Sequence, residues 1–339
     1  MVKIAINGFG RIGRGFVRAL LQHSHPAAQG LEIVAVNDLT TPANLAYLLK
    51  YDSVYGRAPF SVESVEGALV IDGKQIPVVA EKDPAKLPWR SMAVDIVVES
   101  TGHFTDGTKA RAHIDAGAKR VVITAPSKGE GASIIMIGAN EEKFGTGDIT
   151  SNASCTTNAA SPLIGILDEA IGIERAVLNT THAYTASQAI VDGSAPDDFR
   201  RGRAGAINLS PSSTGAAKAT AIAYPQLAGK FDGIAVRVPV AAGSLVDITF
   251  VPKRATTVEE VNSALRAAAT TDRWKRVFAV SDEPLVSSDI LGLPYGAIAD
   301  LTMTRVVDGT LVKVLAWYDN EMGYAHTLVE HVLEVARRL

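Results

Sequence analysis

The only cysteine among 339 residues, Cys155, stands in a run of hydroxyl and amide side chains, Ser151-Asn152-Ala153-Ser154-Cys155-Thr156-Thr157-Asn158. Residues 159–171 then repeat apolar side chains at helical spacing (Leu163, Ile166, Leu167, Ala170), so the thiol is expected at the first turn of a helix. Free N–H groups and the positive end of the helix dipole at such a place lower a thiol pKa and raise its thiolate fraction. A second polar stretch, Thr180-Thr181-His182-Ala183-Tyr184-Thr185, supplies a histidine that can serve as a base. Together these are the parts of an activated cysteine nucleophile. The alternative is an inert cysteine acting as a small hydrophobe, and on these residues alone both readings stand.

A nucleophile needs a scaffold, and the first half of the chain supplies one with a ligand site of its own. Residues 2–7 form a short apolar strand, followed directly by Gly8-Phe9-Gly10-Arg11-Ile12-Gly13 and by a helix with Ile12, Phe16, Val17 and Leu20 on one face. Glycines between strand and helix let a pyrophosphate approach the helix N-terminus. A second strand, residues 32–37, ends at Asp38, where a carboxylate can hold ribose hydroxyls and repel a 2′-phosphate. That favours NAD over NADP. Residues 94–99, 120–124 and 134–137 are further apolar strands, with a helix over 109–116, so the expected fold is a doubly wound, Rossmann-type α/β domain.

From Ser151 the pattern changes. Residues 235–252, 297–306 and 311–317 alternate like antiparallel strands, with Asp308-Gly309 as a hairpin turn. Thr257-Val258-Glu259-Glu260 reads as a capping box before a helix that buries Val258, Val261, Leu265 and Ala268. The expectation is an α+β catalytic domain with a mostly antiparallel mixed sheet. Residues 324–339 form an amphipathic helix. Residues 183–205 show no periodicity and carry Arg200, Arg201 and Arg203, which is unusual for a compact domain unless the loop is functional. The apolar fraction of 47% suffices for two ordinary cores, and a net charge of −3 disfavours nucleic acid. No apolar run is long enough for a membrane, there is no signal-peptide pattern, and the histidines show no metal-ligand spacing. A cytoplasmic protein without metal is expected.

Five runs carry a resemblance: the one around Cys155, His182-Ala183-Tyr184-Thr185, Ser213-Thr214-Gly215-Ala216-Ala217-Lys218-Ala219, Arg237-Val238-Pro239 and Trp317-Tyr318-Asp319-Asn320-Glu321. In order and spacing, over essentially the whole chain, they resemble the phosphorylating glyceraldehyde-3-phosphate dehydrogenases. The resemblance implies an NAD-binding domain over 1–153, a catalytic domain over 154–319 and a C-terminal helix over 320–339 that returns to the first domain. It implies a homotetramer, with glyceraldehyde 3-phosphate and inorganic phosphate as substrates. Cys155 and His182 become the catalytic pair. Gly8, Gly10, Arg11, Ile12, Gly13, Asp38, Lys82, Thr124 and Asn320 become NAD contacts, with Lys82 standing where the family has arginine. Thr185, Arg201 and Arg237 would hold the substrate phosphate, and Ser154, Thr156, Thr214 and Gly215 the attacking phosphate.

The chain departs from the family at Ala159, Met322 and residues 240–243, and Ser194 resembles members that also use NADP, which leaves NADP use open. A rival reading is erythrose-4-phosphate dehydrogenase, and another is a non-catalytic NAD-binding paralogue. If Asp38 sets cofactor choice, Asp38→Gly raises the kcat/KM ratio of NADP to NAD by about tenfold; an unchanged ratio removes Asp38 from that role.

Overall fold

The computed structural model describes residues 1–196 and 198–339. Among these, two compact units are distinct: Met1–Ile135 with Asn140–Ala153 and Leu328–Leu339, and Met136–Ala139 with Ser154–Thr327.

The first unit is built on a nine-stranded sheet in the order Ser133–Ile134, Ile149–Ser151, Arg120–Ile123, Ile96–Glu99, Val2–Asn7, Leu31–Asn37, Lys74–Val79, Ala68–Ile71, Val62–Val65. From the first of these through Lys74–Val79 all pairs are parallel, and Ile4 lies in register between Ile33 and Ile96. These runs are rich in Val and Ile because both faces are covered. The last three strands form an antiparallel edge that the sequence reading did not anticipate, although its Asp72-Gly73 turn (φ +47° and +76°) is a hairpin signal. The helix Pro42–Lys50 was likewise not anticipated.

The helix Arg11–Gln22 starts at Gly10. A β-carbon on Gly8 (φ +91°) would lie 2.7 Å from Thr101 N, and one on Gly13 would lie 2.3 Å from Gly8 O, so backbone packing demands both glycines. Gly10 differs: a β-carbon there meets nothing within 4 Å.

The second unit holds a seven-stranded sheet in the order Ser210–Ser213, Phe231–Val238, Ile173–Ala183, Ser244–Pro252, Leu311–Tyr318, Ala297–Val307, Phe278–Ser281. Two of its pairs are parallel and the rest antiparallel. The expected single strand over 235–252 is in fact two. Phe231–Val238 runs parallel to Ile173–Ala183, and Ser244–Pro252 runs antiparallel to its other edge. Residues 239–243, with Pro239 and a left-handed Gly243 (φ +86°), separate them. Alternation continues across that break, so periodicity could not reveal it. The Asp308-Gly309 hairpin forms with both residues left-handed (φ +49° and +64°). Helices Cys155–Ala170, Ala216–Ala223 and Val258–Ala269 pack on the sheet. Half of the expected capping box is present: Thr257 accepts the Glu260 N–H at 3.2 Å, while the Glu260 carboxylate turns to Thr256 and Arg254. The helix Met322–Ala336 starts two residues before the expected one, and its later turns belong to the first unit.

Gly13→Ala is expected to lower stability by about 1–3 kcal/mol through overpacking, whereas Gly10→Ala stays within about 0.5 kcal/mol of the parent; urea unfolding midpoints check the contrast.

Candidate active site

Cys155 is the first residue of its helix, and Ser154 caps it, its Oγ accepting the Thr157 N–H at 3.1 Å. Asn158 Nδ2 donates to Ser154 O at 3.0 Å, which fixes the cap from inside the helix. His182 projects from the strand Ile173–Ala183, directly in register with Arg237 on the parallel neighbour. Cys155 Sγ and His182 Nε2 are 3.4 Å apart. The thiol and imidazole singled out from sequence do meet.

Electrostatics at the pair leave the imidazole uncharged. Burial, then the Arg237 charge, pushes the His182 pKa down to about 4, so the ring is neutral near pH 7. Burial also pushes the Cys155 thiol up, against the opposing pull of Arg237, the Thr156 hydroxyl and the N–H groups at the helix start. The residue keeps some contact with solvent, which moderates that penalty. The cation that favours the thiolate is therefore Arg237, not His182. Arg237 Nη1 lies 2.6 Å from His182 Nδ1 and 3.1 Å from Ala183 O. Ala183 O is also 2.6 Å from Nδ1 and accepts its N–H, which leaves Nε2 as the acceptor facing the sulfur.

Sequence reasoning missed a further member, Tyr318, although it lies in a run quoted for the resemblance. Its buried hydroxyl stands 2.8 Å from Thr156 Oγ1 and 2.7 Å from Thr180 Oγ1, and its ring meets His182 edge-on at 5.9 Å. Thr156, expected to bind phosphate, thus has its hydroxyl engaged inside the protein. The other expected phosphate residues hold local bonds. Thr185 Oγ1 pairs with Ser187 Oγ at 2.9 Å, Arg201 with Asp198 at 3.2 Å and with Ser212 Oγ at 3.4 Å. Thr214 Oγ1 accepts the Ala216 N–H at 3.2 Å, while Gly215, the residue before that helix, faces open space.

The first unit carries a cavity of about 560 Å³ lined by Gly8, Gly10, Asp38 and Lys82 among the expected residues, and by Asn7, Asn37, Thr101 and Phe104, which were not anticipated. The open space at Gly10 is where a β-carbon would intrude on a ligand, and Asp38 is held at the rim by the N–H groups of Phe9 (2.8 Å) and Thr40 (2.9 Å). A carboxylate beside a glycine-rich helix start fits a dinucleotide. Arg11, Ile12, Gly13 and Thr124 do not line the cavity. The Arg11 guanidinium pairs with Asp52 at 2.5 Å, and Thr124 N donates to Glu99 O at 3.0 Å. In the second unit, Asn320 Oδ1 accepts from Gly243 N (3.1 Å) and Ser244 Oγ (2.9 Å). Its orientation is fixed, and its NH2 has no partner among the described residues. No group of three potential metal ligands occurs among those residues.

Comparison with known proteins follows the same division. Residues 2–107 match the family model of the glyceraldehyde 3-phosphate dehydrogenase NAD binding domain, and residues 154–320 that of its C-terminal domain. Proteins named glyceraldehyde-3-phosphate dehydrogenase from Mycobacterium avium and Zymomonas mobilis are each 47% identical to the chain, covering 100% of it and 99% of their own length. One from Streptomyces coelicolor is 46% identical with the same coverage.

Removing the Arg237 charge is expected to raise the Cys155 thiol pKa: in Arg237→Met, iodoacetamide labels Cys155 more slowly at neutral pH and the labelling midpoint moves to higher pH. A midpoint that stays or falls assigns the field at the sulfur to another group.

Proposed function

The chain belongs to the glyceraldehyde-3-phosphate dehydrogenase family, and on that premise we propose that it oxidises D-glyceraldehyde 3-phosphate with NAD and inorganic phosphate to 1,3-bisphosphoglycerate. The observation that carries this reading is the 3.4 Å approach of Cys155 Sγ and His182 Nε2 at a capped helix start. Residues 1–153 serve as the NAD-binding domain, 154–319 as the catalytic domain, and 320–339 as the closing helix.

Arg237, with Thr185 and Arg201, takes the substrate phosphate. His182 Nδ1 donates to Ala183 O, which leaves Nε2 as the acceptor facing the thiol. Cys155 passes its proton to Nε2 and attacks the aldehyde carbon. The thiohemiacetal oxygen, held by the Cys155 N–H, receives that proton from His182 and returns it to Nε2 as the C–H bond breaks. NAD supplies the hydride acceptor, bound through Gly8, Gly10, Asp38 and Lys82, with the Asn320 amide for its carboxamide. An acyl thioester remains on Cys155. Phosphate placed by Ser154, Thr214 and Gly215 attacks it, and the acyl phosphate leaves as the thiolate returns.

We read the working form as a cytoplasmic homotetramer. Ile190, Val191, Phe199, Ile207 and Leu209, all more than 70% exposed on one stretch, are the apolar surface that a second copy would cover.

NADH formation from glyceraldehyde 3-phosphate and NAD tests the reading. Turnover is expected to require added phosphate, to fall by at least about 10³-fold in Cys155→Ser, and to fall by about 10²–10⁴-fold in His182→Asn. Turnover indifferent to phosphate points instead to a hydrolytic erythrose-4-phosphate dehydrogenase, and no turnover with either cofactor to a non-catalytic paralogue.

A further inference from the structure

Beside the cavity of the first unit is a wholly buried histidine, His113, on the helix Gly107–Asp115, which no step above uses. Trp89 Nε1 lies 3.0 Å from its Nδ1, and Glu99 Oε2 lies 3.0 Å from its Nε2. An indole N–H only donates, so Nδ1 accepts and the ring donates from Nε2 to Glu99. Glu99, also buried, accepts in addition from Asn7 Nδ2 at 2.5 Å and from Thr101 N at 2.9 Å. Asn7 Oδ1 in turn accepts from Asn37 Nδ2 at 2.6 Å, and Asn37 exchanges hydrogen bonds with the Glu81 backbone at 2.8 and 3.0 Å. Phe104 stands edge-on to the imidazole at 6.2 Å.

The sense of this chain is fixed at every link. Turning the Asn7 amide over would set its oxygen against the Glu99 carboxylate and its NH2 against that of Asn37. Asn7, Asn37, Glu81, Thr101 and Phe104 all line the cavity, although they follow or end four different strands. His113 touches no ligand position itself, yet each of these wall residues is one to three contacts away from it.

We propose that His113 is a positioning residue of the dinucleotide site: with Trp89 it fixes the direction of a buried hydrogen-bond chain that sets the Asn7 and Asn37 amides and the Thr101 loop for the adenosine half of the cofactor. This rests on the cavity being the NAD site of the preceding subsection. A buried network with every donor and acceptor matched admits one arrangement, so its wall needs no rearrangement when ligand arrives.

The test is isothermal titration of NAD and of AMP, which probes the adenosine half alone, into wild type, His113→Gln and Trp89→Phe. In His113→Gln both dissociation constants are expected to rise by about tenfold, with kcat at saturating NAD and the KM for aldehyde unchanged. Trp89→Phe keeps the aromatic packing, removes only the indole donor, and is expected to raise both constants by about threefold. A merely structural role would lower the melting temperature and leave both constants alone, and that result overturns the proposal. If His113→Gln fails to fold, Trp89→Phe decides alone, and unchanged constants in it overturn the proposal. Absence of NAD binding by wild type would overturn the functional reading and this proposal with it, whereas wild-type binding with unaltered variants overturns only the proposal.

Discussion

The proposed chemistry rests on a half-buried guanidinium held against an imidazole. Arg237 and His182 lie side by side because their strands run parallel in matched register, and the same register aims His182 at the sulfur of the capped helix. Burial, and then the nearby cation, keeps that ring neutral, and a neutral imidazole can take a proton where an imidazolium cannot. The same cation favours the thiolate against the cost of burial. One charge thus prepares the base and the nucleophile.

Around that centre the protein uses matched polar contacts more than empty apolar walls. The Tyr318 hydroxyl bridges Thr156 and Thr180, tying the first turn of the nucleophile's helix to the strand that carries the base. In the first unit, Glu99 gathers donors from three segments. Such groups would be costly to bury singly, and once fully paired they restrict the site to one geometry. The glycines complement them. Gly8 and Gly13 permit a backbone approach that no side chain allows, and Gly10 keeps ligand space open.

Much of this was legible in the residues. The helix start at Cys155, the glycine loop, Asp38 at a strand end and the Asp308-Gly309 hairpin each follow from local rules, because capping, left-handed turns and strand-to-helix transitions involve neighbours in sequence. The split of residues 235–252 was not legible, since alternation reports which face is buried and not which strand is the partner. Nor was the antiparallel edge over 62–79, whose turn residues were present but flanked by short runs of ordinary polarity.

The sequence by itself determined the two fold patterns, the helix start that carries Cys155 and the glycine loop between strand and helix, because each is carried by residue types that few other settings tolerate. Only the tertiary structure decided the charge states and the supporting cast. That Arg237 rather than His182 provides the positive field at the sulfur, that Thr156 spends its hydroxyl on Tyr318, and that Arg11 turns to Asp52 depend on which side chains burial brings together. Burial and proximity set protonation and hydrogen-bond choice, and both are properties of the folded arrangement, in which residues 55 to 162 positions apart become neighbours.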